Sequence, residues 1–415
     1  MTTRTLAVDF GTSNTAAAMF EDGRIRRIPV ERGTDTLPTA VFFPADGRAM
    51  SIGAAAADAL ISGDEGRYMR ALKSVLGTEL LHESRPVGKG RRSLSDIVTA
   101  FLIELRQRAQ EATGHRFDRA LSGRPVRFHS ADAGRDAQAL VDLRACYLAA
   151  GFDAVDFLPE PEAAALASHA NGAAAGTGLI VDIGGGTSDF TVFRSSPDGL
   201  QILASRGVRI GGTDFDHALS MHHVMPLLGL GGTLRREMGE GRLPVPTAIY
   251  ADLARWEKIP FLYTAETRRA ARKLTALAVD RAALGRLETV LEDELGHDLA
   301  FAVEAGKIAA NSGAPDPRIA LGLVEPGLGA AIGADSMARA LGGFAEALRQ
   351  TALDTVEAAG IAPGDVQGVV LVGGSSLMAL VEDTMADLFA GARLHRADAF
   401  TAVVDGLALA TARMG

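Results

Sequence analysis

Cysteine is nearly absent from this chain of 415 residues. Cys146 is the only one, in a segment patterned as an amphipathic helix, which excludes intrachain disulfides and cysteine metal sites. Long apolar runs are absent too. No stretch of about 18 uninterrupted apolar residues occurs, and the opening MTTRTLAVDF enters a strand at once. The expectation is therefore a soluble, cytoplasmic protein with neither a membrane span nor a signal peptide. Positive charge is in deficit: 42 Lys and Arg against 51 Asp and Glu give a net charge of −9, which argues against nucleic acid as the main partner. No low-complexity tract or long linker interrupts the chain. With 47% hydrophobic and 22% charged residues, the composition is globular, and the length suits two sizeable domains rather than one core.

What the chain does have is a repeated stretch. Residues 179–193, LIVDIGGGTSDFTVF, read as a strand, a sharp turn and a returning strand. Gly184, Gly185 and Gly186 lack a Cβ, so their backbone N–H groups can converge on one anionic ligand. Alone, the three glycines read as an ordinary tight turn. Residues 6–20, LAVDFGTSNTAAAMF, superpose on the same stretch without a gap, offset by 173 residues throughout. Asp9 meets Asp182, Gly11 meets Gly184 and Phe20 meets Phe193. Each copy then reaches an Asp-Gly hairpin signal, at Asp22-Gly23 and at Asp198-Gly199. The chain is expected to be two related lobes, 1–172 with an insert at about 40–117, and 173–415 with an insert at about 222–333. If the lobes face each other, two aspartates and two hydroxyl-bearing glycine turns converge on one crevice, which suits a metal-bound polyphosphate.

Between the copies, Ser93 and Asp96 have the form of a capping box opening a helix that Gly114 stops. LSGRPVRFHS reads as a buried strand, and a helix is expected from Asp136 to Ala150. PEPEAAALASHA puts Glu160 between Pro159 and Pro161 at a helix start. Further on, a helix over 298–312 carries Glu304, Lys307 and Asn311 on one face, and GVVLVGGSS is a buried strand running into Gly373-Gly374. His217, His222 and His223 have poor helical spacing for a metal site and read as core or surface residues. Lys89, Arg91 and Arg92 read as a solvated loop, and Trp256 fits a core or a partner-facing position.

Five segments together, VDFGTSNTA, EPEAAALA, VDIGGGTSDF, RIGGTDFD and VLVGGSS, resemble the nucleotide-binding domain of the heat-shock protein 70 (DnaK) family, within the actin and sugar-kinase superfamily. GRPVRF and MPLLGLGG look nearest to its stand-alone YegD-like branch. The resemblance implies an α/β, two-lobed actin-like ATPase fold made of duplicated ribonuclease H-like domains, each with an inserted subdomain. It implies ATP or ADP with Mg²⁺, held by Asp9 and Asp182 through water. Phosphates would lie against Gly11, Thr12, Ser13, Asn14, Gly184, Gly185, Gly186 and Thr187, which offer hydroxyl and backbone donors. Glu160 would orient a metal water or the attacking water. The adenosine pocket would draw on Gly211, Gly212, Glu304, Lys307, Ile308, Asn311, Gly373, Gly374, Ser375 and Leu377.

Departures from the family pattern bear on activity. Ile308 and Leu377 stand where two adenine-stacking arginines are expected, and Asn311 replaces a serine. A catalytic lysine is expected shortly after an I-G-x-x-A element, where SIGAAAADA offers Ala57. Lys73 is the nearest basic candidate, with an ordinary solvated lysine as the plainer reading. Asp398 is displaced from the last nucleotide-lobe motif and carries no assigned role. The chain stops at Gly415 without a recognisable peptide-binding domain, so binding of extended peptides is not expected of it. The resulting expectation is a weak ATPase acting as a conformational switch on a protein partner, with a sugar-kinase-like phosphotransferase or an actin-like filament protein as the alternatives.

Overall fold

The computed structural model describes residues 4–87, 90–171, 176–197, 199–398 and 401–413. They form two compact units, Met1–Gly212 with Ala345–Gly415, and Thr213–Phe344.

The first unit contains both copies of the repeated stretch. β1 (Arg4–Phe10) is apolar from Leu6 to Phe10 apart from Asp9, because both faces of that stretch are covered; Leu6, Ala7, Val8 and Phe10 are all fully buried. It turns through Gly11, whose N–H donates to Asn14 O at 3.1 Å, into β2 (Asn14–Glu21). Asp22 and Gly23 follow, both with positive φ (51° and 75°), the twist a two-residue hairpin needs before β3 (Arg24–Ile28). The helix α1 (Leu94–Thr113) has the expected capping box between Ser93 and Asp96 and ends at Gly114 with φ 72°.

Next, β4 (Phe117–Arg124) pairs parallel to β1. It stops at Arg124, short of the strand read over LSGRPVRFHS, because Pro125 has no N–H to continue the ladder. The helix α2 (Ala133–Ala149) begins three residues earlier than expected, since Asp132 is its cap, accepting from Arg135 N. Finally β5 (Ala154–Pro159) leads directly into α3 (Glu160–Ala170), with Pro161 in its first turn. The sheet order is β5-β4-β1-β2-β3.

The second sheet repeats the first. β6 (Gly176–Ile183), β7 (Ser188–Ser196) and β8 (Gly199–Val208) form the meander, and β9 (Gly368–Val372) and β10 (Arg393–Arg396) add parallel strands in the order β8-β7-β6-β9-β10. The register is conserved through the 173-residue offset: Asp9 faces Ala16, and Asp182 faces Asp189. Even the turn bond recurs, Gly184 N–H donating to Thr187 O at 3.0 Å. Of the second hairpin signal, Asp198 lies outside the described residues, as does Lys89 of the basic loop.

The core between the sheets is an exchange of helices. α4 (Ala402–Thr411), which follows the second sheet, packs on β1, β2 and β4 of the first, while α3, which follows the first sheet, packs on β6 and β7 of the second. The two helices cross so closely that a Cβ on Gly406 would sit 1.7 Å from Ala163 O. Small residues, Ala163, Ala164 and Ala165 against Val403, Leu407 and Ala408, make that approach possible. At the edge, Arg27 on β3 donates to both carboxylate oxygens of Asp405 at 2.9 and 2.8 Å, with Asp398 3.5 Å away.

The second unit is mainly helical, including Ala265–Leu277, Arg281–Glu292 and Gly296–Asn311, with two small two-stranded sheets. Trp256 is a core residue there, 2% exposed, its Nε1–H donating to Asp216. Among the described residues no helix is long and apolar enough to cross a membrane.

Candidate functional site

A cavity of about 100 Å³ opens in the first unit where the two repeated turns meet. From the first copy it is lined by Asp9, Gly11, Thr12, Ser13 and Asn14, and from the second by Asp182, Gly184, Gly185 and Thr187. Gly373, Gly374 and Ser375, at the end of β9, close one side. Both aspartates therefore reach one space from the ends of corresponding strands, because each turn follows its strand at the same point of the repeat.

The two turns also touch. Gly185 occupies the position that Thr12 holds in the other copy, and a Cβ on Gly185 would lie 2.9 Å from Thr12 Cβ and 2.6 Å from Ser13 Oγ. Only one of these two equivalent residues has room for a side chain. Behind them Gly211 and Gly212 lie flat on the second turn: a Cβ on Gly211 would meet Gly186 N at 2.4 Å, and Gly212 N–H donates to Gly184 O.

Lys73 and Glu160 line the same cavity. The Lys73 amine is 2.6 Å from Glu160 Oε1, and the two residues are 6% and 8% exposed. This corrects the reading of Lys73 as a solvated lysine. Ala57, the alignment-based candidate for the lysine position, lies on the helix Ala54–Ile61 and is not among the lining residues. The reason is local. Ala71 adopts the left-handed conformation (φ 60°), which reverses the chain so that the short turn Leu72–Val75 points its lysine inward.

The charges here are out of balance. Burial and then the neighbouring Glu160 push the Asp9 carboxyl up to about 7, against the opposing pull of Lys73. Asp182 is raised well above the ordinary carboxylate range by burial, then by Glu160 and Asp9. Burial disfavours the charge on Lys73, but Glu160 and Asp9 outweigh it and hold its pKa above the ordinary value. A further carboxylate, Asp189, went unread in the sequence. It is 1% exposed, accepts from Val126 N at 2.9 Å, and is raised by burial and by Glu160 and Asp182. The repeat itself held the signal, since the offset sets a buried acid at 189 opposite Ala16 of the first copy.

Three carboxylates, Asp9, Glu160 and Asp182, line the cavity beside one ammonium, and their mutual repulsion is what a cation bound there would relieve. Among the described residues no three His, Cys, Asp or Glu side chains form a direct metal cage.

The remaining expected residues lie elsewhere. Glu304, Lys307, Ile308 and Asn311 are on the helix Gly296–Asn311 of the second unit. Lys307 is not in an exposed intrahelical pair: it is 8% exposed and its amine lies 2.6 Å from Asp216 Oδ1, within the RIGGTDFD segment. Ile308 is 60% and Leu377 40% exposed.

Comparison with known proteins agrees with this construction. Proteins named chaperone protein HscA homolog match the chain: one from Pseudomonas paraeruginosa is 32% identical over 52% of this chain and 36% of its own length. One from Azotobacter vinelandii is 30% identical over 55% of this chain and 38% of its own. A third, from Bordetella petrii, is 28% identical over 97% of this chain and 57% of its own length. The family described as MreB/Mbl protein matches residues 78–225. The chain is similar to proteins of the heat-shock protein 70 and actin-like superfamily. Its fold is the two-lobed α/β fold of that superfamily, and the duplicated sheets are its two halves. The chain spans little more than half the length of the HscA relatives it matches, and less in most alignments.

Proposed function

We propose that this protein binds Mg-ATP at the junction of the two repeats, hydrolyses it slowly, and acts as a nucleotide-driven switch on a protein partner. The observation that carries the reading is the buried Lys73–Glu160 pair beside the register-matched Asp9 and Asp182. Each part has a chemical role. Backbone N–H groups of the two glycine turns, with the hydroxyls of Thr12, Ser13 and Thr187, donate to phosphate oxygens without having to reorganise. The Lys73 ammonium stabilises charge on the transferring phosphoryl group. Glu160, hydrogen-bonded to that ammonium, orients the attacking water and accepts its proton as the γ-phosphorus–oxygen bond to ADP breaks. Magnesium, when bound, would neutralise charge on the β- and γ-oxygens, and Asp9 and Asp182 are the residues fitted to hold its water shell.

The division into lobes 1–172 and 173–415, and the relay of nucleotide state to a partner, belong to the same proposal. Calorimetric titration with ATP in the presence and absence of Mg²⁺ tests it, followed by single-turnover hydrolysis. Saturable, Mg²⁺-dependent heat with slow release of phosphate is the expected result. No heat at millimolar nucleotide would overturn the binding claim, and binding without phosphate release would overturn the ATPase claim alone.

A further inference from the structure

The turn that presents Lys73 is fastened at three backbone groups by side chains from elsewhere in the sequence. The Arg209 guanidinium donates to Ser74 O at 2.9 Å. His129, 5% exposed, has Nε2 2.7 Å from Leu76 O; a carbonyl can only accept, so this nitrogen carries the proton. Leu76 N–H donates to Lys73 O at 3.3 Å. Asp142 on α2, also 5% exposed, accepts from Gly77 N–H at 3.0 Å, and Gln138 Nε2 donates to its other oxygen at 2.8 Å. Gly77 itself has φ 75°, and a Cβ there would sit 2.3 Å from Arg135 O. Ala71 completes the set, held in a left-handed conformation that a non-glycine residue adopts only when its surroundings impose it.

None of the three side chains lines the cavity. Their common object is the four-residue turn after Lys73. Buried polar groups such as His129 and Asp142 are costly unless bonded, and here each makes a hydrogen bond to that turn, Asp142 also accepting from Gln138 and lying 3.3 Å from His82 Nε2. We infer that His129, Asp142 and Arg209 are positioning residues, which hold the Lys73 amine against Glu160 and in reach of the transferring phosphate. The inference rests on the ATPase reading for its rate consequence but not for its geometry. A lysine on a long flexible stem gains catalytic value only when its amine is fixed, and a misplacement of about 1 Å can cost up to roughly a hundredfold in rate.

The test uses the whole chain and two readouts. Lys73 accessibility is measured by acylation with an amine-reactive acetyl ester and peptide mass spectrometry. Single-turnover hydrolysis and nucleotide affinity are measured on the same preparations. His129→Phe, Asp142→Ala and Arg209→Met should each raise Lys73 labelling several-fold. Each should also slow hydrolysis roughly ten- to a hundredfold, with nucleotide affinity nearly unchanged. His129→Gln, whose amide can still donate to Leu76 O, should restore most of both. Arg209→Met, on an exposed arm, serves if His129→Phe does not fold.

Unchanged Lys73 labelling in the folded variants overturns the inference whatever the rates do. Raised labelling in a protein that neither binds nor hydrolyses ATP upholds the positioning role and overturns the ATPase reading instead. A fall in melting temperature with proportionate loss of binding, and no rescue by glutamine, marks a merely structural role and also overturns it.

Discussion

The two halves of the first unit share strand order, register and even the turn hydrogen bond, yet their chemistry differs position by position. Where the first copy has Thr12 the second has Gly185, and where the first has Ala16 the second has Asp189. The first half brings Lys73 and Glu160 to the cavity, and the second carries an extra buried acid, Asp189, that is not among the lining residues. A duplicated scaffold offers two equivalent anion-sized turns, but a transferring phosphoryl group is not symmetric. It needs a cation and a water-orienting base beside the metal-holding acids, and only the first half carries a lysine and a glutamate at this cavity. The asymmetry of the side chains is what turns a repeated fold into a directional site.

Four sets of substitutions would break or sharpen that comparison. The largest effect is expected from Lys73→Ala, which removes the cation that the first half alone supplies. Single-turnover hydrolysis should fall about two to three orders of magnitude, as for loss of one electrostatic group at a transition state, with nucleotide affinity changed far less. An unchanged rate would mean that the second half provides a substitute.

Next comes Gly185→Val, in the half where the turn must be bare. Its side chain would collide with Thr12 and Ser13, so calorimetry should show binding weakened by at least about tenfold. Moving the side chain across, with Thr12→Gly and Gly185→Thr together, should recover part of the loss. No recovery would show that the halves are not interchangeable even sterically.

Asp189→Asn keeps the acceptor for Val126 N–H and removes the charge. Mg²⁺-dependent affinity should fall about tenfold, a loss typical of an outer-shell partner. Its stability should carry the opposite sign. In the fold, burial raises the Asp189 pKa well above its ordinary 3.8, so between those values the folded chain binds more protons than the unfolded chain. Stability of the nucleotide-free protein therefore falls as pH rises above about 4 toward the folded value. Thermal unfolding of Asp189→Asn across pH should show a shallower fall, and an identical slope would reject the assignment.

The smallest effect concerns the third strands. Arg27 of the first half pairs with Ala18 and grips Asp405, while its structural counterpart Ser205 pairs with Thr191 through a 2.8 Å hydroxyl bond. Arg27→Gln should lower stability by about 1.5–3 kcal/mol as a charged hydrogen bond, and Ser205→Ala by about 1 kcal/mol. Equal losses in denaturant titration would erase the distinction.

Much of this was legible in the sequence, because the repeat carries its own proof. A constant offset of 173 residues fixed the two strand-turn-strand copies, and with them Asp9, Asp182 and the glycine turns. Lys73 was harder to read, since its placement depends on Ala71 in a conformation that no local signal announces and on His129, Asp142 and Arg209, each more than 50 residues away. Asp189 was missed because an acid inside an alternating strand looks solvent-facing until the segment after β4, through Val126 N–H, is seen to meet it. Lys307 was expected on a face with Glu304 and Asn311, and its amine lies 2.6 Å from Asp216 in another segment, a contact that spacing within one helix does not announce.

The exchange of helices across the two sheets has a consequence for how the chain is made. Ala7, Ala16 and Ala18 of the first sheet are covered by Val403, Val404, Leu407 and Ala408. On a ribosome, strands built from residues 4–21 emerge first and wait for nearly 400 further residues before their cover exists. At about 5–20 residues per second, that interval is tens of seconds of exposed apolar sheet. Native closure of the first half therefore waits until residues 402–411 have been made, and a nascent chain stalled before residue 402 should be protease-sensitive in its earliest strands.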